Sequence, residues 1–156
     1  MGLASTFGMA YFKSQQAAGM RLPLSGKVLV SVNERERGSL LPIVQTLSEL
    51  GFELIATEGT YKYLLANNIA AKEVHKLNEG RPNVADLIRN REVALIINTP
   101  AGKLSKIDDS AIRMLAIQYK IPYMTTIAAA SATAEGIKEA RHGESPLKSL
   151  QEYLQK

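Results

Sequence analysis

Residues 93–99 read Val93-Ala94-Leu95-Ile96-Ile97-Asn98-Thr99. An unbroken apolar run, rich in β-branched residues, ends abruptly on an amide and a hydroxyl. With no polar residue alternating through it, the run predicts a strand over 93–97 buried on both faces. That is how a central strand of a parallel sheet reads. The polar switch at its carboxyl end predicts ligand contact there, because open parallel sheets bind beyond the carboxyl ends of their strands.

Working outward, the same grammar repeats on both sides. Lys27–Val32 and Phe52–Ala56 read as strands, and Ala71–Val74 as a short one. Between them Leu40, Leu41, Ile43, Val44, Leu47 and Leu50 recur at helical spacing, with Pro42 in a first turn and Gly51 as the stop. Tyr61–Ala66 reads as a short helix, and Asn83 caps a helix running to Arg89. Downstream, Asp108 or Asp109 caps a helix carrying Ile112, Leu115, Ala116 and Tyr119. Ile121–Thr125 reads as a fifth strand, Ala129–Arg141 as a long helix and Pro146–Lys156 as a further helical piece. This alternation predicts an α/β three-layer sandwich with a five-stranded, mainly parallel sheet.

Thr6–Ala18 stands apart. It reads as an amphipathic helix with Phe7, Ala10, Tyr11 and Ser14 on one side, stopped by Gly19, and Met20–Ser25 reads as a linker. The expected division is a leader over 1–25 and a domain over 26–156. The leader is either the tail of a preceding domain or a frayed extension.

The 156 residues suffice for one core, and 22% charged residues exclude a disordered polymer. The absence of cysteine excludes a disulfide framework, a thiol nucleophile and thiolate metal sites. His75 and His142 lie far apart, against a histidine metal site. Apolar runs are far short of a membrane span, and Lys13 with Gln15-Gln16 breaks any signal-peptide core. The expectation is a cytoplasmic protein. The +4 net charge fits anionic ligands, but no basic block argues for nucleic acid.

The strand-end turns carry the chemistry. Thr57-Glu58-Gly59-Thr60 precedes a helix, so its hydroxyls and the free N–H groups form an anion site, or Thr60 is simply an N-cap. Lys76 brings a cation to the same edge, and Asn98 and Thr99 bring donors. Arg35 and Arg37 reach an anion or form a merely solvated loop. Thr125 and Thr126 repeat the theme. Together these turns predict binding of a small anion, with no paired acids or triad to suggest catalysis.

Three motifs make a resemblance: Ala56-Thr57-Glu58-Gly59-Thr60, Glu79-Gly80-Arg81-Pro82-Asn83 and Leu95-Ile96-Ile97-Asn98-Thr99, in that order. Ala116-Ile117-Gln118-Tyr119-Lys120-Ile121-Pro122-Tyr123 and the leader Thr6–Gln15 extend it. The chain resembles the C-terminal regulatory domain of the large chain of carbamoyl-phosphate synthase, within the methylglyoxal-synthase-like superfamily. The resemblance implies a non-catalytic effector-binding domain of an ATP-dependent ligase that serves pyrimidine and arginine synthesis. It implies a nucleotide effector, UMP or IMP, with ornithine at the boundary to the adjoining synthetase domain. The rest of the large chain and a small glutaminase subunit are the implied partners. No cofactor is implied in this domain; ATP, Mg and K ions belong to synthetase domains outside it.

Carried onto this sequence, the effector phosphate falls to Thr57, Gly59, Thr60, Lys76, Asn98 and Thr99, with Arg37 where the family often has lysine. Asp108 and Ile112 border the nucleoside, and Tyr123 and Thr125 face ornithine. The leader would pack on a domain outside this chain. Pro100 replaces a family threonine, removing a hydroxyl and an N–H. The effector class is not set by the fold, since some animal relatives use N-acetylglutamate. The main rival is methylglyoxal synthase, a lyase on dihydroxyacetone phosphate. It needs a Gly-Gly-Asp segment where this chain reads Leu77-Asn78-Glu79-Gly80-Arg81-Pro82. A cyclohydrolase domain of purine synthesis and a bare interaction domain are the remaining alternatives.

Overall fold

The computed structural model describes residues 2–100, 106–143, 149, 151 and 152, with backbone alone at 106–108. Five strands form one parallel sheet in the order β3-β2-β1-β4-β5: β1 Lys27–Ser31, β2 Glu53–Thr57, β3 Lys72–Val74, β4 Leu95–Asn98 and β5 Tyr123–Met124. The helices are α1 Phe7–Ala17, α2 Arg37–Glu49, α3 Glu58–Ala66, α4 Val84–Arg89, α5 Lys106–Tyr119 and α6 Ile127–His142.

β4 is buried at every position, as its composition predicts. Successive side chains enter different cores. Leu95 and Ile97 pack with Val28, Val30, Leu54 and residues of α2, α3 and α6. Ile96 packs with Leu29, Ile55 and residues of α4 and α5. The sheet is therefore the middle of three layers. The strand order runs outward from β1 in both directions, which places the topological switch point between β1 and β4.

The strands lie where the sequence puts them, with shifted ends; β5 keeps only two of five expected residues. Three helix starts need correction. α2 begins at Arg37, reached through a 3-10 turn at Glu34–Glu36, so Pro42 lies in its interior. Pro42 is exposed there, and Thr46 donates its hydroxyl to the Pro42 carbonyl at 2.9 Å. α3 begins at Glu58, so Gly59 and Thr60 lie in its first turn and Thr57 holds the N-cap position. α5 has begun by Lys106, which makes Asp108 and Asp109 first-turn residues rather than caps. A first turn and a cap select the same acidic and hydroxyl side chains, so composition does not separate them. Asn83 caps α4 as expected, in a reciprocal capping box with Asp86.

The expected leader helix forms, capped by Thr6, and one side of it packs on α6 of this chain. Its buried residues are Gly8 and Met9, while Phe7, assigned to the packed side, is 64% exposed. A Cβ on Gly136 would stand 3.0 Å from the Gly8 carbonyl oxygen. The contact is backbone against backbone, which a pattern of apolar side chains does not reveal. The expected linker carries Leu22 into the core. Most of the expected helical piece at 146–156 lies outside the described residues. No described helix is long and apolar enough to cross a membrane.

Candidate functional site

A cavity of about 840 Å³ opens at the carboxyl ends of β1 to β4. Its wall includes Arg37, Thr57, Gly59, Thr60, Lys76, Thr99 and Ile112 of the expected set. The strand ends are cross-linked by their own hydroxyls. Thr57 donates to Ser31 Oγ at 3.1 Å. Thr60, 1% exposed, accepts from the Val32 N–H at 3.1 Å and pairs with the Val32 carbonyl at 3.3 Å. The Thr60 hydroxyl thus fastens α3 to the end of β1, and its backbone N–H remains the group it can offer a ligand.

Thr57 occupies the cap position of α3 without capping it. The first N–H groups of a helix have no partner within it, and they form its positive end. Arg37 lies over this end. A Cβ on Gly59 would come within 2.6 Å of its Nη2, so a side chain there requires Arg37 to move. The Arg37 Nε is buried and makes no hydrogen bond among the described residues. A guanidinium held against a positive helix end is repelled by it, and an anion between them removes the repulsion. Glu58, in the same first turn, is turned to Lys62 at 2.5 Å, and that hydrogen bond holds its carboxyl below the usual range.

Lys76 enters on the loop after β3. Glu79 holds that loop by accepting from the Lys76 N–H at 3.0 Å, while the Lys76 Nζ stands 4.0 Å from its carboxylate. Asn83 braces the loop further, donating to the Gly80 carbonyl at 3.0 Å and the Leu77 carbonyl at 3.4 Å.

Asn98 is buried and outside the wall. Its amide donates to Asp109 Oδ1 at 3.1 Å and to the Tyr123 hydroxyl at 2.9 Å, so both hydrogens are in use. Asp109 lines the cavity, whereas the side chain of Asp108 lies outside the described residues. Tyr123 and Thr125 are not on the wall. Burial raises the Tyr123 phenol above its ordinary pKa, partly offset by the bond from Asn98. Thr126 caps α6.

Sequence reasoning passed over Asn33, Asn78, Glu79 and Asp109 as wall residues, whereas Pro100, singled out as a departure, does line the cavity. Asn33 carried the same signal as Asn98, a polar residue directly after an apolar strand. Among the described residues no cluster of three or more histidines or acids is arranged to hold a metal.

The fold and cavity define a class: residues 39–125 match the MGS-like domain family, and the chain belongs to it. Its relatives are more particular. It is 46% identical over 151 residues to the carbamoyl phosphate synthase large chain of Acidobacterium capsulatum, covering 97% of this chain and 14% of that protein. It is 49% identical over 139 residues to the carbamoyl phosphate synthase large chain, C-terminal section, of Methanopyrus kandleri, covering 88% of this chain and 26% of that protein. The large chain of Nostoc is 44% identical over 153 residues, covering 98% of this chain and 14% of that protein. The chain thus spans a small part of the length of the relatives it matches.

Proposed function

We propose that this chain is the effector-binding domain of a carbamoyl-phosphate synthase large chain, and that its cavity takes the phosphate of a nucleotide such as UMP or IMP. The observation that carries this is the buried, unpaired Arg37 Nε, with its guanidinium over the uncapped start of α3 at Gly59. A phosphate is acceptor-only and matches both the arginine fork and the free N–H groups. Lys76 and Thr99 supply further donors, and Ile112 and Asp109 border the remainder of the ligand. On this reading the chain is non-catalytic by itself. ATP-dependent ligase chemistry, with its metal ions, and the glutaminase partner belong to the longer cytoplasmic assembly. Tyr123 and Thr125, away from the cavity wall, would face ornithine at the domain boundary.

Allostery requires a second site and two states of different affinity. Effector phosphate would order the turns at Thr57–Thr60 and after Asn98, part of the latter lying outside the described residues. That ordering would bias the surface facing the rest of the large chain.

Thermal unfolding with UMP, IMP, ornithine, N-acetylglutamate and dihydroxyacetone phosphate tests the reading. A ligand at 100 times its Kd stabilises by about 2.7 kcal/mol, roughly 5–10 °C at this size. A shift with UMP or IMP is expected. A shift with N-acetylglutamate alone would change the effector. Turnover of dihydroxyacetone phosphate to methylglyoxal would overturn the regulatory assignment in favour of the lyase.

A further inference from the structure

We infer that Asn33 is a positioning residue that fixes the Thr99 hydroxyl as a hydrogen-bond donor to the bound anion. The inference rests on the phosphate reading of the cavity. Asn33 follows β1 at the switch point, opposite Thr99 at the end of β4, and both line the cavity. The Asn33 backbone N–H donates to Thr99 Oγ1 at 3.1 Å, and its Nδ2 donates to the same oxygen at 3.2 Å.

A threonine hydroxyl has two lone pairs and one hydrogen. Both lone pairs are taken by Asn33, so the oxygen has only its hydrogen left to give. Thr99 is 3% exposed, and the space beside it is the cavity. A donor-only hydroxyl suits an acceptor-only ligand group such as a phosphate oxygen. It does not suit an ammonium.

The same side chain also shapes the approach to Arg37. Asn33 Oδ1 accepts from the Glu36 N–H at 3.2 Å, and Nδ2 contacts the Glu36 carboxylate. It thereby caps the turn that leads directly into Arg37. A cap alone would be served equally by serine or aspartate. The donation to Thr99 would not, and the test turns on that difference.

The variants are Asn33→Ser, Thr99→Val and the pair together. Inorganic phosphate and UMP are titrated calorimetrically into each 156-residue chain. Asn33→Ser keeps a capping oxygen, but its side chain is one atom shorter and lacks the Nδ2 donor to Thr99. It should weaken both ligands about tenfold or more while the chain stays folded at the titration temperature. Thr99→Val should weaken them similarly, and the double variant should lie within about twofold of Thr99→Val. Asn33→Asp sets a carboxylate beside Thr99 and against that of Glu36, and phosphate binding should be lost.

Wild-type affinity in Asn33→Ser overturns the role of Asn33 and leaves the cavity reading standing. Additive losses in the double variant overturn action through Thr99. A wild-type chain that binds neither ligand overturns the cavity reading and this inference with it.

Discussion

Replacing Arg37 by alanine is expected to weaken UMP or IMP binding by about 100-fold, while the thermal midpoint of the free chain stays level or rises. A hydrogen bond to a charged group contributes about 1.5–3 kcal/mol, and a guanidinium offers two in parallel. In the free chain the Arg37 Nε is buried without a partner, and its charge sits against the positive end of α3. Losing it removes an unfavourable arrangement rather than a support. A structural arginine behaves the other way, because its removal lowers the midpoint. Arg37→Lys should retain about a tenth of the lost affinity or more, since it keeps the charge and loses the fork. Calorimetry and thermal unfolding on the same samples separate these cases. A fall in midpoint with unchanged affinity would remove Arg37 from the site.

The second large effect concerns the stretch 93–99. Ile96→Ala and Ile97→Ala are each expected to cost about 2–5 kcal/mol in denaturant unfolding. Both side chains are fully buried, yet in different layers. Ile96 sits beneath α4 and α5, Ile97 beneath α2 and α6. A half-solvated sheet would make one substitution nearly neutral. If either costs under about 0.5 kcal/mol, that face of β4 is open and the three-layer arrangement is wrong.

These two isoleucines also show why the fold was legible. A continuous apolar run admits few alternatives, and the four other strands share its flanking turns. Helix starts were harder to read. Glu58, Gly59 and Thr60 suit a turn as well as a first helical turn, and Asp108 and Asp109 suit a cap as well as the turn after it. The α1 packing was legible only in part: Tyr11 packs as its spacing suggests, whereas the close approach of Gly8 and Gly136 leaves no mark in an apolar pattern.

The site was legible as an address more than as a set of roles. Strand ends identified Thr57, Thr60, Lys76 and Thr99, and the cavity includes all four. Their bonding was not readable. Thr60 spends its hydroxyl on Val32, and Asn98 spends its amide on Asp109 and Tyr123. Such cross-links depend on which strands become neighbours, and local composition carries none of that. Asn33 was overlooked for the same reason, because its partner Thr99 lies 66 residues away.

On the proposed reading, a nucleotide phosphate sits at the start of α3 beneath Arg37. Backbone amide chemical shifts recorded during a UMP titration test it most directly. The largest changes are expected at Glu58, Gly59 and Thr60, with smaller ones at Arg37, Lys76 and Thr99, and with inorganic phosphate reproducing those at Gly59. Changes centred elsewhere, or none at Gly59 at saturating UMP, would contradict the phosphate site.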